Sequence, residues 1–328
     1  MKTIRWGIIG CGNVTEVKSG PGFQQANNSA LVAVMRRDGA LAKDYAERHH
    51  VPRWYDDAQA LIDDPEVDAV YIATPPNAHK EYTLAAAKAG KPVYVEKPMA
   101  LNFTECQAML AACQQANVPL WVAYYRRCLP RFLKVKALID SGAIGVPRTV
   151  SITFYRRWRP TEPNNLPWRV IPEIAGGGLF VDLAAHTLDY LDYFFGPVQS
   201  VQGYATNQAG YYPAEDVVVG SFVFETGVYG TGVWSFSSYT NLDQTEIVGD
   251  EGKLTFTSFS EDPILLTTAT GVTEFAIGNP IHIQQPLIQT IVDQLNGGDQ
   301  SPSTGSSGAR TTWVMDQMLA SWRSRSLV

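Results

Sequence analysis

Asp182 and His186 stand four residues apart in Asp-Leu-Ala-Ala-His, inside a run with helical patterning. That spacing puts both side chains on one face of a helix. A carboxylate beside an imidazole fixes its tautomer and raises its pKa, so His186 is a candidate proton donor and acceptor with Asp182 as its partner. A solvated helix-surface pair has the same spacing, and that reading stays open at this point. A second candidate is Lys97 in Val95-Glu96-Lys97-Pro98, directly after a short apolar strand pattern. A lysine there can exchange a proton with a hydroxyl when a nearby positive charge lowers its pKa. Glu-Lys-Pro also occurs as an ordinary salt-bridged turn. No metal centre is expected, because the His and Cys residues are scattered with no Cys-x-x-Cys, His-x-x-x-His or Glu-Glu-His spacing.

A third motif says what Lys97 would face. Gly7-Ile8-Ile9-Gly10-Cys11-Gly12-Asn13-Val14-Thr15 follows the first strand pattern and should open the first helix. Gly10 and Gly12 let the backbone turn tightly and approach a pyrophosphate, and the turn through Cys11, Asn13 and Val14 offers N–H groups and the positive end of a helix dipole. Thr15 stands where the usual third glycine would be. The second strand then ends Val34-Met35-Arg36-Arg37-Asp38. An NAD site usually has a carboxylate here for the ribose 2′-OH, whereas arginine grips a 2′-phosphate with paired charge-assisted bonds. Arg36 and Arg37 therefore favour NADP, with NAD left open through Asp38 at a register shifted by two. Thr74-Pro75-Pro76-Asn77-Ala78-His79 follows another strand, at the edge of the sheet where ligands bind. Thr74, Pro75, Asn77 and His79 are candidates for cofactor contact, His79 being equally suited to a first-turn surface position. Glu96 and Lys97, further candidates for cofactor contact, follow the next strand on the same edge, and an oxidised nicotinamide ring would lower the pKa of Lys97.

These residues need a scaffold that gathers strand ends, and the patterning supplies one. Strand patterns over 4–9, 30–35, 68–73, 92–95 and 119–123 alternate with helical patterns over 40–49, 77–89 and 103–116. Short apolar strands alternating with helices predict a doubly wound parallel sheet. The grammar changes after Tyr124. A helix over 129–141 and a strand over 150–155 lead to a loop at 156–174 with four Arg, two Trp and four Pro. Gly176-Gly177-Gly178 precedes a strong helix over 179–194, and closely spaced strand patterns at 198–206, 216–224, 228–237, 245–249, 253–257 and 264–268 predict a largely antiparallel sheet. Helices over 284–295 and 309–322 close the chain, with Gly297 to Gly308 between them as a surface loop. The domains expected are 1–124, dinucleotide-binding, and 125–328, for substrate and oligomerisation.

Composition narrows the classes. At 328 residues, 45% hydrophobic and 18% charged, the chain is globular and not disordered. A net charge of −6 argues against a general nucleic-acid binder. Cys11, Cys106, Cys113 and Cys128 read as reduced thiols. No apolar run approaches the roughly 20 residues of a membrane span, and the N-terminus runs directly into a strand pattern, so a cytoplasmic protein is expected.

Together the segments resemble one family. Gly-Cys-Gly-Asn at 10–13, Thr-Pro-Pro-Asn-Ala-His at 74–79, Glu-Lys-Pro at 96–98 and Gly-Gly-Gly-Leu-Phe-Val-Asp-Leu-Ala-Ala-His at 176–186 occur in the order and spacing of the family of glucose–fructose oxidoreductase, inositol dehydrogenase and the rhizopine-catabolism oxidoreductases, Gfo/Idh/MocA. The resemblance covers essentially the whole chain. It implies an N-terminal Rossmann domain and a C-terminal α/β domain whose large open, mostly antiparallel sheet often builds dimers or tetramers. It implies hydride transfer between NADP or NAD and a secondary alcohol or carbonyl of a sugar, polyol or cyclitol. By resemblance His186 takes or gives the hydroxyl proton, Lys97 positions that hydroxyl and Asp182 supports the site. Which of Lys97 and His186 is the main base differs among members. A cis Lys97–Pro98 bond would aim the lysine.

In NADP-using relatives a Trp-Arg pair at the place of Trp168-Arg169 reaches the cofactor. Tyr124, Arg126, Tyr155 and Trp158 join Asp182 and His186 as candidates to face substrate, since aromatic faces suit sugar C–H surfaces and arginine suits hydroxyls or a carboxylate. Four Arg against one Glu over 154–169 hint at an anionic ligand, and fit equally a cofactor phosphate, acids of the same chain or a neighbouring subunit. Two alternatives belong to other classes: a relative that retains its cofactor and cleaves glycosidic bonds by transient oxidation, and a non-catalytic dinucleotide sensor. The presence of Lys97, Asp182 and His186 together argues against the sensor.

Overall fold

A computed structural model describes residues 1–325 other than 161, 163 and 164. It divides into one unit of Met1–Leu129 with Pro280–Ala309 and a second of Pro130–Asn279 with the chain from Arg310 onward.

The first unit runs β1 (Ile4–Ile9), α1 (Asn13–Val17), α2 (Gly20–Gln25), β2 (Ser29–Met35), α3 (Gly39–Arg48), β3 (Arg53–Tyr55), α4 (Ala58–Asp63), β4 (Ala69–Ile72), α5 (His79–Lys88), β5 (Val93–Val95), α6 (Phe103–Gln115) and β6 (Leu120–Val122). Its strands are parallel throughout, in the order β3-β2-β1-β4-β5-β6. This is the doubly wound sheet expected from the patterning. Ala69–Ile72 and Val93–Val95 are buried at every residue, which is why they read as continuous apolar runs and not as alternation. On one face, Trp6, Tyr71 and Tyr94 from neighbouring strands pack with Phe23 of α2; Phe23 lies 4.9 Å from Trp6 and 5.1 Å from Tyr71, ring to ring. Gly20-Pro21-Gly22 opens α2, because proline is tolerated in a first helical turn and Phe23 is drawn fully into this cluster.

The division differs from the expected 1–124 and 125–328. The first piece reaches Leu129, and residues 280–309 pack with it. The cause is an amphipathic helix, α10 (Gln285–Leu295), whose Leu287, Ile288, Ile291 and Val292 are fully buried. The stretch 297–308 is likewise more than a surface loop. Ser301 and Ser303 are buried, the Ser303 hydroxyl donates to Val122 O at 2.7 Å, and Thr304 forms a bridge with Trp121 beside β6.

The second unit holds α7 (Pro130–Asp140), β7 (Pro147–Arg157), α8 (Pro172–Ala175), α9 (Leu179–Phe195), β8 (Val198–Thr206), β9 (Val217–Phe224), β10 (Tyr229–Ser235), β11 (Ser237–Gly249), β12 (Gly252–Phe256), β13 (Ile264–Thr268) and β14 (Gly271–Phe275). The final helix, α11 (Gly305–Arg325), begins in the first unit and continues in the second. The eight strands lie in the order β14-β13-β12-β11-β7-β10-β9-β8 and are antiparallel except for β10 beside β7. Along β9, buried Val218, Phe222 and Phe224 alternate with Val219 and Ser221 on the other face. α11 presses onto the buried face at Gly203 of β8, where a Cβ would stand 2.7 Å from Met318 Cα and 2.8 Å from Met318 O. Backbone cannot retreat as a flexible side chain can. Gly203→Ala is therefore expected to cost about 1–3 kcal/mol, the usual range for overpacking, read as a lower Tm in thermal denaturation.

Candidate active site

β1 ends at Ile9, and the chain reverses at Gly10 with φ +92°, a conformation that favours glycine. A Cβ at Gly10 would lie 2.8 Å from Thr74 Cγ2 and 2.9 Å from Thr74 N, so its absence lets the loop after β4 close on the turn. The N–H groups of Gly10 and Cys11 both donate to Met35 O, at 2.8 and 3.1 Å, which ties the turn to the end of β2. Gly12 faces open space: a Cβ there would approach only Gly10 O, at 3.9 Å. Thr15 is fully buried, and its hydroxyl accepts from Gly12 N at 3.0 Å and donates to Gly12 O at 2.8 Å. The hydroxyl closes the turn at the point where the usual motif has its third glycine. Among the described residues no acceptor meets the N–H groups of Asn13 and Val14. Two unsatisfied donors above a surface without a Cβ fit a pyrophosphate. Cys11 turns inward, and burial pushes its thiol up to about 11, so it is no thiolate; the positive charge of Arg36 acts in the opposite direction.

At the end of β2 the backbone N–H of Arg36 donates to Tyr55 O at 3.1 Å, while the side chains of Arg36 and Arg37 are exposed. Neither guanidinium forms an ion pair among the described residues. Asp38 caps α3, its Oδ1 accepting from Ala40 N at 3.1 Å and Leu41 N at 3.2 Å. The carboxylate that could have served a ribose is thus engaged with a helix end.

Two further loops leave the same sheet edge. Thr74 and Pro75 are half-buried and Asn77 is exposed, in a 3-10 turn that runs into α5. His79, a candidate for cofactor contact, is fully enclosed. Its Nε2 lies 2.8 Å from Thr74 O, and its Nδ1 lies 3.1 Å from Pro98 O and 3.2 Å from Met99 O. The ring joins the Thr74 loop to the Lys97 loop and presents nothing outward, because burying an imidazole requires its nitrogens to find partners inside. Burial also pushes its pKa down. After β5, Glu96 is buried with its oxygens engaged inside the unit, so it is not placed for cofactor contact, while Lys97 is half-buried and the Lys97–Pro98 bond is cis. Tyr124 and Arg126, following β6, are both buried, with the guanidinium 5.2 Å from the Tyr125 ring.

In the second unit, Gly176-Gly177-Gly178 leads into α9. A Cβ on Gly177 would meet Val181 Cγ2 at 2.5 Å, and one on Gly178 would meet Glu215 O at 2.7 Å. Glu215, fully buried, accepts the Gly178 N–H on Oε1 at 2.8 Å and so caps the helix from another segment. Asp182 and His186 follow one turn apart, Asp182 half-buried and His186 at 4% exposure, its ring edge-on to Phe259. Arg169, a candidate cofactor residue, places Nε 3.5 Å from Asp182 Oδ2 and its guanidinium 4.4 Å from the Trp168 ring. Tyr155 is half-buried on β7, and Trp158 packs edge-on against Tyr212 at 5.0 Å. Residues 161, 163 and 164 of the arginine-rich loop lie outside the described residues.

Comparison with known proteins gives these pieces a common frame. Residues 4–124 match the family model for the oxidoreductase family with an NAD-binding Rossmann fold, and residues 132–255 match the GFO/IDH/MocA C-terminal domain. Oxidoreductase P35 of Formosa agariphila is 40% identical over 317 residues, covering 95% of this chain and 97% of its own. The chain belongs to the Gfo/Idh/MocA family of oxidoreductases. The 1,5-anhydro-D-fructose reductase of Ensifer adhaerens is 27% identical, covering 93% and 92%. A levoglucosan dehydrogenase solved with NADH and levoglucosan superposes with a TM-score of 0.84 at 25% identity, covering 98% and 97%. As a Gfo/Idh/MocA member the protein is a dehydrogenase/reductase with a dinucleotide-binding Rossmann unit, and none of its described helices is long and apolar enough to cross a membrane.

Sequence reasoning missed Glu215, the Arg169–Asp182 pair and Gln284, which bonds Glu96 from α10's N-terminal end. Nothing local marks Glu215, which simply precedes a strand. Burial pushes its carboxyl up to about 7. A raised carboxyl means the fold holds a proton that the unfolded chain releases. Stability from this group is full below about pH 4.5, falls as pH rises, and is lost above about pH 7, a span of about 3 kcal/mol. Glu215→Gln keeps the acceptor for Gly178 N and should remove this fall. Calorimetry at pH 5 and pH 8 should show a smaller Tm difference in the variant than in the parent protein.

Proposed function

We propose that the protein is an NADP-preferring dehydrogenase/reductase that interconverts a secondary alcohol and a carbonyl of a sugar, polyol or cyclitol. The observation that carries this reading is the union, in one Gfo/Idh/MocA chain, of an open glycine turn with Lys97 and the Asp182–His186 pair. The residue types fit the chemistry. When bound, the nicotinamide supplies or accepts the hydride. Asn13 and Val14 N–H groups would hold the pyrophosphate, with Gly10, Gly12, Thr74, Pro75 and Asn77 around it, whereas Cys11, expected there from the sequence, is buried with its N–H bonded to Met35 O. His186 takes the hydroxyl proton in oxidation and returns it in reduction, Lys97 positions that hydroxyl, and Asp182 supports the site. The sugar or polyol class is supported by relatives that include an anhydrofructose reductase and a levoglucosan dehydrogenase. Trp158, Tyr155, Tyr124 and Arg126 are the side chains we assign to substrate selection. Lys97→Ala and His186→Ala should each lower turnover at least ~100-fold, the low end for loss of a general acid or base; parental rates in both would refute these roles.

Cofactor choice rests on Arg36 and Arg37, exposed at the end of β2 while Asp38 caps a helix. Titration with NADPH and NADH, read by tryptophan quenching, should show tighter NADPH binding. Arg36→Ala should weaken NADPH at least ~10-fold, in line with loss of a charge-assisted phosphate contact, and leave NADH within twofold. Equal losses would remove Arg36 from 2′-phosphate recognition.

The open face of the second sheet is assigned to a homodimer or homotetramer. Tyr204 stands opposite Val219, and Val219 opposite Val233, in one row across β8, β9 and β10. Tyr204 is 77% exposed and Tyr229, on the same face, 63%, an apolar presentation that suits a partner surface.

A further inference from the structure

Glu96, immediately before Lys97, is a buried carboxylate with no ion pair to lysine or arginine among the described residues. Neutral donors take the place of a counter-ion. Oε1 accepts from the Tyr71 hydroxyl at 2.5 Å and from Gln284 Nε2 at 2.6 Å, and Oε2 accepts from the backbone N–H of Lys97 at 3.1 Å. Gln284 is itself fully buried, and its Oε1 accepts from the Tyr94 hydroxyl at 3.0 Å. Its backbone is pinned too, N donating to Lys18 O at 3.2 Å. α10 packs closely on Gly22 of α2, where a Cβ would lie 3.1 Å from Ile288 Cδ1 and 3.3 Å from Gln285 Cα.

The chemistry at position 284 is narrow. The Glu96 carboxylate accepts only, so it needs a donor, and the Tyr94 hydroxyl needs an acceptor. A primary amide supplies both from one side chain. Glutamate would set a second acid against Glu96, and leucine would leave a buried acceptor and a buried donor each short of a partner.

We propose that Gln284 is a positioning residue for Lys97, acting through Glu96: it holds the carboxylate whose other oxygen fixes the Lys97 backbone. The inference rests on the reading of Lys97 as a participant in the reaction. It assigns a role to a residue outside both segments that match the family models, which end at residues 124 and 255.

The test is a double-mutant cycle read by steady-state kinetics with NADPH and the best substrate of a sugar and polyol screen, alongside NADPH titration and Tm. Gln284→Leu is expected to lower kcat about tenfold, with the Kd for NADPH within twofold. In the Lys97→Ala background the same substitution should change the residual kcat less than twofold, since its effect is transmitted through that lysine. Tyr94→Phe deletes only the hydroxyl that holds Gln284 Oε1, and serves if Gln284→Leu does not fold. It should give a smaller loss, two- to threefold, that also vanishes in the Lys97→Ala background. An equal loss in both backgrounds, or no loss in either variant, overturns the positioning role while leaving Lys97 in place. Parental turnover in Lys97→Ala alone overturns the Lys97 reading and the inference with it.

Discussion

In the first unit, positioning is done by hydrogen-bonded register. Ile9 lies opposite both Met35 and Ile72, Ile72 opposite Val95, and Val95 opposite Val122. Because all five strands run the same way, the residues that follow them leave at a single edge. Gly10, Arg36, Ala73, Glu96 and Ala123 are those residues, and the glycine turn, the arginine pair, the Thr74 loop and Lys97 come with them. No side-chain contact has to find them. What side chains add is closure across the edge: Gly10 without a Cβ beneath Thr74, and the His79 ring between Thr74 O and the Pro98 and Met99 carbonyls.

Buried carboxyls are the second theme, and the protein resolves their desolvation in three ways. Asp192 on α9 meets Arg310 in a two-pronged ion pair at 2.7 and 2.8 Å. Glu215 has one backbone N–H, and burial pushes it up to about 7, so near neutrality the fold partly neutralises it. Glu96 is held by a hydroxyl, an amide and a backbone N–H. Two of the three lie beside the groups assigned to catalysis, Glu215 at the start of α9 and Glu96 next to Lys97. Each fixes backbone near a candidate functional side chain: Glu96, with three neutral donors, is satisfied without a cation, whereas Glu215, with fewer, is pushed toward its protonated form.

Much of this was legible in residue patterns. The fully buried strands and the 179–194 helix are strongly periodic or continuously apolar, so burial and sequence coincide there. The third-glycine departure at Thr15 was visible, but its compensation was not, since the two bonds from one hydroxyl depend on backbone geometry. β3 and β14, each at one edge of its own sheet, are not marked by the pattern because strands of three and five residues with no buried residue carry little periodicity. α2 escaped because its reason to be helical is Phe23, and Phe23 is placed by rings from three other elements.

The amino-acid sequence by itself determined the fold class, the glycine turn at the end of β1, the arginines at the end of β2, and the candidate trio of Lys97, Asp182 and His186. All of these are local, depending on residue types at short spacing. Only tertiary structure decided that 280–309 returns to the first unit, that Asp38 is spent on a helix end, that His79 faces inward, and that Gln284 meets Glu96 across 188 positions of chain. Those facts depend on which buried polar atoms must find partners after the apolar faces have packed, and a packed interior can draw such partners from any distance along the chain.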